Sequence, residues 1–215
     1  MHWIKSYAFS SIGKKQFCAL TGCLLIGFLV GHLSGNLLLL KSPEAFDRYA
    51  DFLMNHPLLP LAEAGLAALF LAHISVGALL FYENWRARPV AYAAHKDAGG
   101  RTIGSATMPY TGFIVLAFVL THVTTLRVMH SLRDPDGSLF AWTMEHAFKL
   151  PLMVGLYVAA CLVLCVHLSH GVQSAFQTYG LRHPKYFPGV QAAGLIAAAA
   201  FGVGFGMLPV WGYFQ

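Results

Sequence analysis

The chain has 215 residues, 57% of them hydrophobic and only 11% charged. A soluble domain carries roughly 25% charged residues. Fourteen basic and nine acidic side chains cannot coat a soluble globule of this size, which excludes a soluble enzyme, a nucleic-acid-binding domain and a disordered tail. The net charge of +5 would indicate an anionic partner only if the basic residues formed one patch, and they do not. Histidine is the unusual polar residue: there are eleven, more than the nine acids.

A bilayer core takes about 20 apolar residues of helix. Lys14-Lys15 precedes the first such stretch, 16–40. The pair is like a signal-peptide n-region, but the apolar run is too long for an h-region and no small-x-small cleavage site follows, so the stretch reads as a retained helix. Lys41-Ser42-Pro43 marks a turn, and a charged segment leads to the second span, 61–85, with Glu63 and Glu83 near its two ends. Arg88-Pro89 and Asp97-Ala98-Gly99-Gly100 separate it from the third, 108–130. Asp134-Pro135-Asp136-Gly137 precedes the fourth, 150–176, and His183-Pro184 the fifth, 190–210. Each stretch is longer than a buried strand and none alternates with period two. The prediction is an all-α integral membrane bundle of five transmembrane helices, one domain over residues 1–215. Beyond the alanine run 197–200 there is no low-complexity segment, and no internal repeat is seen. Cys18 and Cys23 lie in the first span, Cys161 and Cys165 in the fourth; without CxxC or CxxCH they read as small buried residues, not as metal ligands or a covalent haem attachment.

Loop charges orient the spans. One side holds Lys5, Lys14, Lys15, Arg86, Arg88, Lys96, Arg101, Arg182 and Lys185; the other holds Lys41, Arg48, Arg127, Arg133 and Lys149. This places the N-terminus in the cytoplasm and the C-terminus outside. Counting the acids as well, the inner side carries about +7 and the outer about −2. A basic cytoplasmic face is also a docking surface for a soluble partner.

An ionisable residue inside a span is costly and must find a partner. Five histidines lie there: His32, His73, His122, His167 and His170, from four different helices. The spans hold few carboxylates to pair with them. Haem iron can satisfy them: a b-type haem takes two axial imidazoles from facing helices, and its flat apolar ring fits between helices without cysteine attachment. At about 1.5 Å per residue, His32 and His122 lie roughly 5–6 Å outward of the midplane. His73 lies near the middle, and His167 and His170 roughly 7–12 Å toward the cytoplasm. Depth pairs His32 with His122 around an outer haem, and His73 with either His167 or His170 around an inner one. Gly27, Gly31 and Gly35 lie on or beside the His32 face; Gly77 follows His73 by one turn and Gly171 follows His170, leaving space for a macrocycle or a close helix neighbour.

Several segments resemble one family. Ser10-Ser11-Ile12-Gly13-Lys14-Lys15, then Thr21-Gly22, then Gly31-His32-Leu33-Ser34-Gly35-Asn36-Leu37 are similar to the start of the cytochrome b membrane subunit of succinate dehydrogenase/fumarate reductase, in its single-anchor five-helix di-haem form. Ala94-His95-Lys96-Asp97, Thr111-Gly112-Phe113 and His167-Leu168-Ser169-His170-Gly171-Val172-Gln173-Ser174-Ala175-Phe176-Gln177-Thr178-Tyr179-Gly180 continue the likeness over nearly the whole chain, least in the last helix. The resemblance implies iron ligation by His32, His73, His122 and His170, paired His32 with His122 and His73 with His170, with His167 as an extra histidine one turn away. Some menaquinone-linked members carry a glutamate two residues before the last ligand; here that position is Leu168.

The resemblance further implies electron transfer between quinone and a succinate/fumarate couple, in the cytoplasmic membrane of a bacterium. Two haems b would belong to this chain, FAD to a flavoprotein subunit and the clusters to an iron–sulfur subunit, both docked on the cytoplasmic face. Menaquinone follows from the subtype, and a dimeric complex is a family expectation. No dicarboxylate site lies in this chain, which has neither a GxGxxG motif nor a cysteine cluster. Arg182, Lys14 and Ser11 are placed to meet haem propionates at the cytoplasmic edge. Asp51, Asn55, His56 and Glu63, in the outward segment 47–63, are the candidates for a quinone site, the other reading being solvated loop residues. The alternatives are a di-haem anchor of a hydrogenase or formate dehydrogenase, which fits the histidine order worse, and a haem-free transporter. The latter would show Gly/Pro-broken helices at matching positions.

Overall fold

The computed structural model describes residues 2–88 and 102–215. Ala94-His95-Lys96-Asp97, the turn at Asp97–Gly100 and the basic Lys96 and Arg101 lie outside these described residues. The elements are α1 (His2–Ala8), α2 (Ser11–Asn36), α3 (Pro43–Met54), α4 (Leu59–Arg86), α5 (Ile103–Val123), α6 (Met129–Arg133), α7 (Leu139–Thr143), α8 (Pro151–Thr178) and α9 (Phe187–Tyr213). A 3₁₀ turn, Leu37–Leu40, prolongs α2, and a π turn, Thr124–Val128, joins α5 to α6. Five helical segments are long and apolar enough to cross a membrane: Ser11–Leu40, Leu59–Arg86, Ile103–Arg133, Pro151–Thr178 and Phe187–Tyr213. Each overlaps one of the five expected stretches.

The first and third spans start earlier than their apolar runs because side-chain caps, not hydropathy, set those helix ends. Ser10 precedes α2 and accepts from the Gly13 amide at 3.0 Å. Thr102 and Ser105 cap α5 reciprocally, at 3.0 and 2.9 Å, so the third span begins at Ile103 and not near 108. Proline occupies the first turn of α4, α8 and α9, where its missing N–H costs nothing. α8 ends at Thr178, and Gly180 just beyond it has a φ of 75°, which suits glycine. There the Leu181 amide reaches back to Phe176 O at 3.0 Å and the Gly180 amide to Gln177 O at 3.1 Å, satisfying carbonyls the helix end would orphan.

α8 is the central helix, packed on α2, α5 and α9; α4 packs on α2 and more lightly on α5. α8 and α9 approach closely at Gly202, where an added Cβ would lie 2.9 Å from Cys165 Cβ. Such small-residue contacts are how apolar helices pack in lipid. One apolar core, with Leu39, Phe46, Ala147, Phe148, Tyr157 and Leu208, fills the end of the bundle distal to Lys14. Another, Leu168, Ala198 and Phe201 with Leu33 and Leu164, joins α2, α8 and α9.

The segment 47–63, expected as an outward connection, is largely helical. α3 is amphipathic: Phe46 and Ala50 are buried, while Asp47 accepts from Ser138 Oγ at 2.6 Å and the Phe140 amide at 2.9 Å, so its carboxylate caps α7. Trp142 Nε1 donates to Thr125 O at 2.9 Å, within the π turn. Its ring stacks on His146 at 3.7 Å and meets His130, which is 1% exposed, edge-on. These two histidines are structural, and the burial of His130 was not visible from the sequence.

Candidate functional site

The five span histidines fall at two levels of the bundle. At the distal level, His32 of α2 and His122 of α5 face each other with ring centroids 5.7 Å apart and planes at 88°. Aromatic rings hold them. His32 lies against Phe28 and Phe205, and His122 against Phe118. His122 Nδ1 is 3.2 Å from the Tyr157 hydroxyl. The Asn36 amide donates to His32 O at 2.8 Å and only grazes the ring, at 3.4 Å and beyond.

At the proximal level, nearer Lys14, hydroxyls replace the rings. His73 of α4 has Nδ1 3.0 Å from Thr21 Oγ1 and 3.1 Å from Cys18 O, both on α2. His167 of α8 has Nδ1 3.1 Å from Thr111 Oγ1 on α5. His170 differs: its Nδ1 is buried without a hydrogen-bond partner among the described residues, and its Cβ abuts Gly104 of α5.

This donor set fits an axially ligated haem. A metal-bound imidazole typically donates its second ring N–H to an oxygen, leaving the other nitrogen's lone pair for the metal. His73, His122 and His167 each have an oxygen at Nδ1, so Nε2 is the nitrogen left to bind iron. Space is present too. A Cβ added at Gly27, Gly31 or Gly77 would meet no heavy atom within 4 Å, and no residue of α4 is buried. Among the described residues no group of three His, Cys, Asp or Glu side chains surrounds one point, so the arrangement offers paired imidazoles and not a self-contained metal cage. The four cysteines are free thiols.

The other expected residues are more scattered. Lys14 is paired with both carboxylate oxygens of Glu83, joining α2 to α4 at the proximal end. Ser11 is exposed in the first turn of α2, and Arg182 is exposed with its guanidinium 5.0 Å from the centre of the Phe187 ring. Asp51, Asn55, His56 and Glu63 are all exposed, and their bonds do not converge on one slot. Asn55 Nδ2 donates to Asp51 O at 2.9 Å, His56 Nδ1 accepts from the Leu58 amide at 3.2 Å, and Glu63 takes Arg127 Nε at 2.6 Å.

Fold and site together define a class: an all-helical, multi-pass membrane protein with imidazoles facing one another between its helices. In sequence the chain is similar to the succinate dehydrogenase cytochrome b558 subunit of Bacillus subtilis (strain 168), 26% identical over 172 residues that cover 78% of this chain and 79% of that protein. No protein-family model matches the chain, and no solved structure does.

Proposed function

We propose that the chain is the di-haem cytochrome b membrane subunit of a succinate dehydrogenase/fumarate reductase complex. It would anchor a flavoprotein and an iron–sulfur subunit on the cytoplasmic face of a bacterial membrane and pass electrons between them and a quinone, menaquinone by subtype. The observation that carries this reading is the facing of His32 and His122 between α2 and α5, in a chain similar to a cytochrome b558 subunit.

His32 and His122 would hold the outer haem. The inner one is held by His73 with His167 or His170, and the hydrogen bonding favours His167: its Nδ1 has an oxygen partner, and that of His170 has none among the described residues. That choice departs from the pairing the family likeness implied. Haem supplies reversible one-electron chemistry at iron, and bis-imidazole ligation leaves no open coordination position. The chain's own residues do the rest. α2, α4, α5 and α8 set where the imidazoles stand, Phe28, Phe118 and Phe205 keep water from the distal pair, and the basic proximal end presents a docking face.

The test is spectroscopic. Purified protein should give a reduced-minus-oxidised b-type spectrum with two haems per chain, and a colourless preparation refutes the proposal. His122→Ala should remove the outer haem and keep the inner one. His167→Ala should remove the inner haem, whereas His170→Ala should retain it.

A further inference from the structure

Two short patterns in the chain match. Thr21-Gly22 is followed by His32 eleven residues after the threonine, and Thr111-Gly112 by His122 at the same spacing. In the fold the two segments do the same thing. Each threonine reaches Nδ1 of a histidine on the next helix it packs against, Thr21 to His73 at 3.0 Å and Thr111 to His167 at 3.1 Å. Each following glycine lies under that ring. A Cβ at Gly22 would be 3.1 Å from His73 Cε1, and one at Gly112 3.5 Å from His167 Cε1.

Both threonines are buried, 3% and 7% exposed, in a bundle with few buried polar side chains. A buried hydroxyl without a hydrogen bond is costly. Thr21 Oγ1 donates within its own helix, to Cys18 O at 2.9 Å and Phe17 O at 3.0 Å, and Thr111 Oγ1 donates to Met108 O at 3.0 Å. With the hydroxyl proton used, each oxygen has only lone pairs to offer the imidazole. Cys18 O, also at His73 Nδ1, can only accept. His73 therefore carries its proton on Nδ1, and His167 does the same when Thr111 keeps its hydroxyl proton on Met108 O.

We propose that Thr21 and Thr111 are paired positioning residues that fix the tautomer and tilt of the two proximal imidazoles and tune the iron they hold. This rests on the haem-binding function proposed above. An N–H donated to oxygen makes the ring more electron-rich, which favours ferric over ferrous iron. The distal pair has no threonine of this kind: His122 Nδ1 meets the Tyr157 hydroxyl at 3.2 Å, and Phe28, Phe118 and Phe205 flank the two rings.

The experiment uses the full chain, purified from membranes, with Thr21→Val and Thr111→Val singly and together. Valine keeps the shape and removes the hydroxyl. The midpoint potential of the inner haem should rise and its retention against an apoprotein haem acceptor should fall by about 10–100-fold, the usual effect of losing an outer-shell partner. The outer haem should keep its potential and serve as the folding control. Thr21→Ser and Thr111→Ser restore the hydroxyl and should restore both values. Unchanged potential and retention in the valine variants would overturn the inference, as would serine variants as impaired as valine, or loss of both haems together. A wild-type chain without any b-type band would instead overturn the proposed function, and the inference with it.

Discussion

Glu83→Gln should destabilise the proximal end by stranding a charge. Lys14 and Glu83 join the first two spans, and their side chains are unequally buried, 14% exposed for Lys14 and 39% for Glu83. An exposed pair is worth about 0–1 kcal/mol. Removing one partner of a fully buried pair costs about 3–5 kcal/mol, because the other charge stays behind. Lys14 is near the buried limit, while Glu83 opens to solvent that partly screens the pair, so the expected cost is about 1–3 kcal/mol. At about 2–4 °C per kcal/mol for a chain of this size, the unfolding midpoint should fall by about 2–12 °C. Lys14→Met in the Glu83→Gln background takes the stranded charge away, so the double variant should be more stable than Glu83→Gln alone. The assay is thermal unfolding of detergent-purified protein, run as a double-mutant cycle. Independent sites add within about 0.3–0.5 kcal/mol. A cycle that closes within that margin, or a Glu83→Gln variant as stable as wild type, refutes the reasoning.

Three further perturbations are sharp. Trp142→Phe keeps a ring against His146 but leaves Thr125 O in the π turn without its donor; unfolding measurements should show a loss of about 1–3 kcal/mol. Gly212→Ala would place a Cβ 2.4 Å from Phe148 Cδ2 and should cost about 1–3 kcal/mol, whereas Gly155→Ala, with nothing within 4 Å, should match wild type or gain up to about 1 kcal/mol in the same assay. Glu44 accepts from its own backbone N–H and the Ser42 hydroxyl and lies near Arg48, which together hold its carboxyl below the ordinary glutamate value. Its folded value is depressed, so its contribution is present at neutral pH and is lost as pH falls from about 4.3 through the folded value. The midpoint gap between wild type and Glu44→Gln should close over that acid range, and a gap that widens there contradicts the assignment.

Hydropathy located all five spans because a membrane helix must be apolar along its whole length, whatever it packs against. Their ends were less legible. Residues 103–107 include Ser105 and Thr107, which lower the apolar score, yet Thr102 and Ser105 cap the helix there. Charged and polar composition made 47–63 look like a connection, while α3 uses only Phe46 and Ala50 for burial and spends Asp47 on capping α7. Depth arithmetic paired His32 with His122, and the two rings do face each other. The same arithmetic could not choose between His167 and His170. They are less than one turn apart, so they differ in facing and not usefully in depth. Facing depends on which neighbour supplies an oxygen, a tertiary fact.

The missed signal was nonetheless in the sequence. Thr21-Gly22 and Thr111-Gly112 are weak as dipeptides, and no extended similarity joins the first and third spans. What relates them is a spacing: threonine and histidine eleven residues apart, or about 16 Å along each helix. That interval separates the two histidine levels. α2 and α5 each serve both levels, presenting an imidazole at the distal one and a hydroxyl to a neighbour's imidazole at the proximal one. α4 and α8 enter as the recipients, bringing His73 and His167 to hydroxyls already in place. A search for repeats by residue identity passes over this division of labour, because lipid-facing and packing positions drift freely among apolar residues. Only the polar atoms that must be satisfied inside the bundle keep their register. In a chain this apolar, the spacing of the few buried polar groups is therefore the more informative pattern.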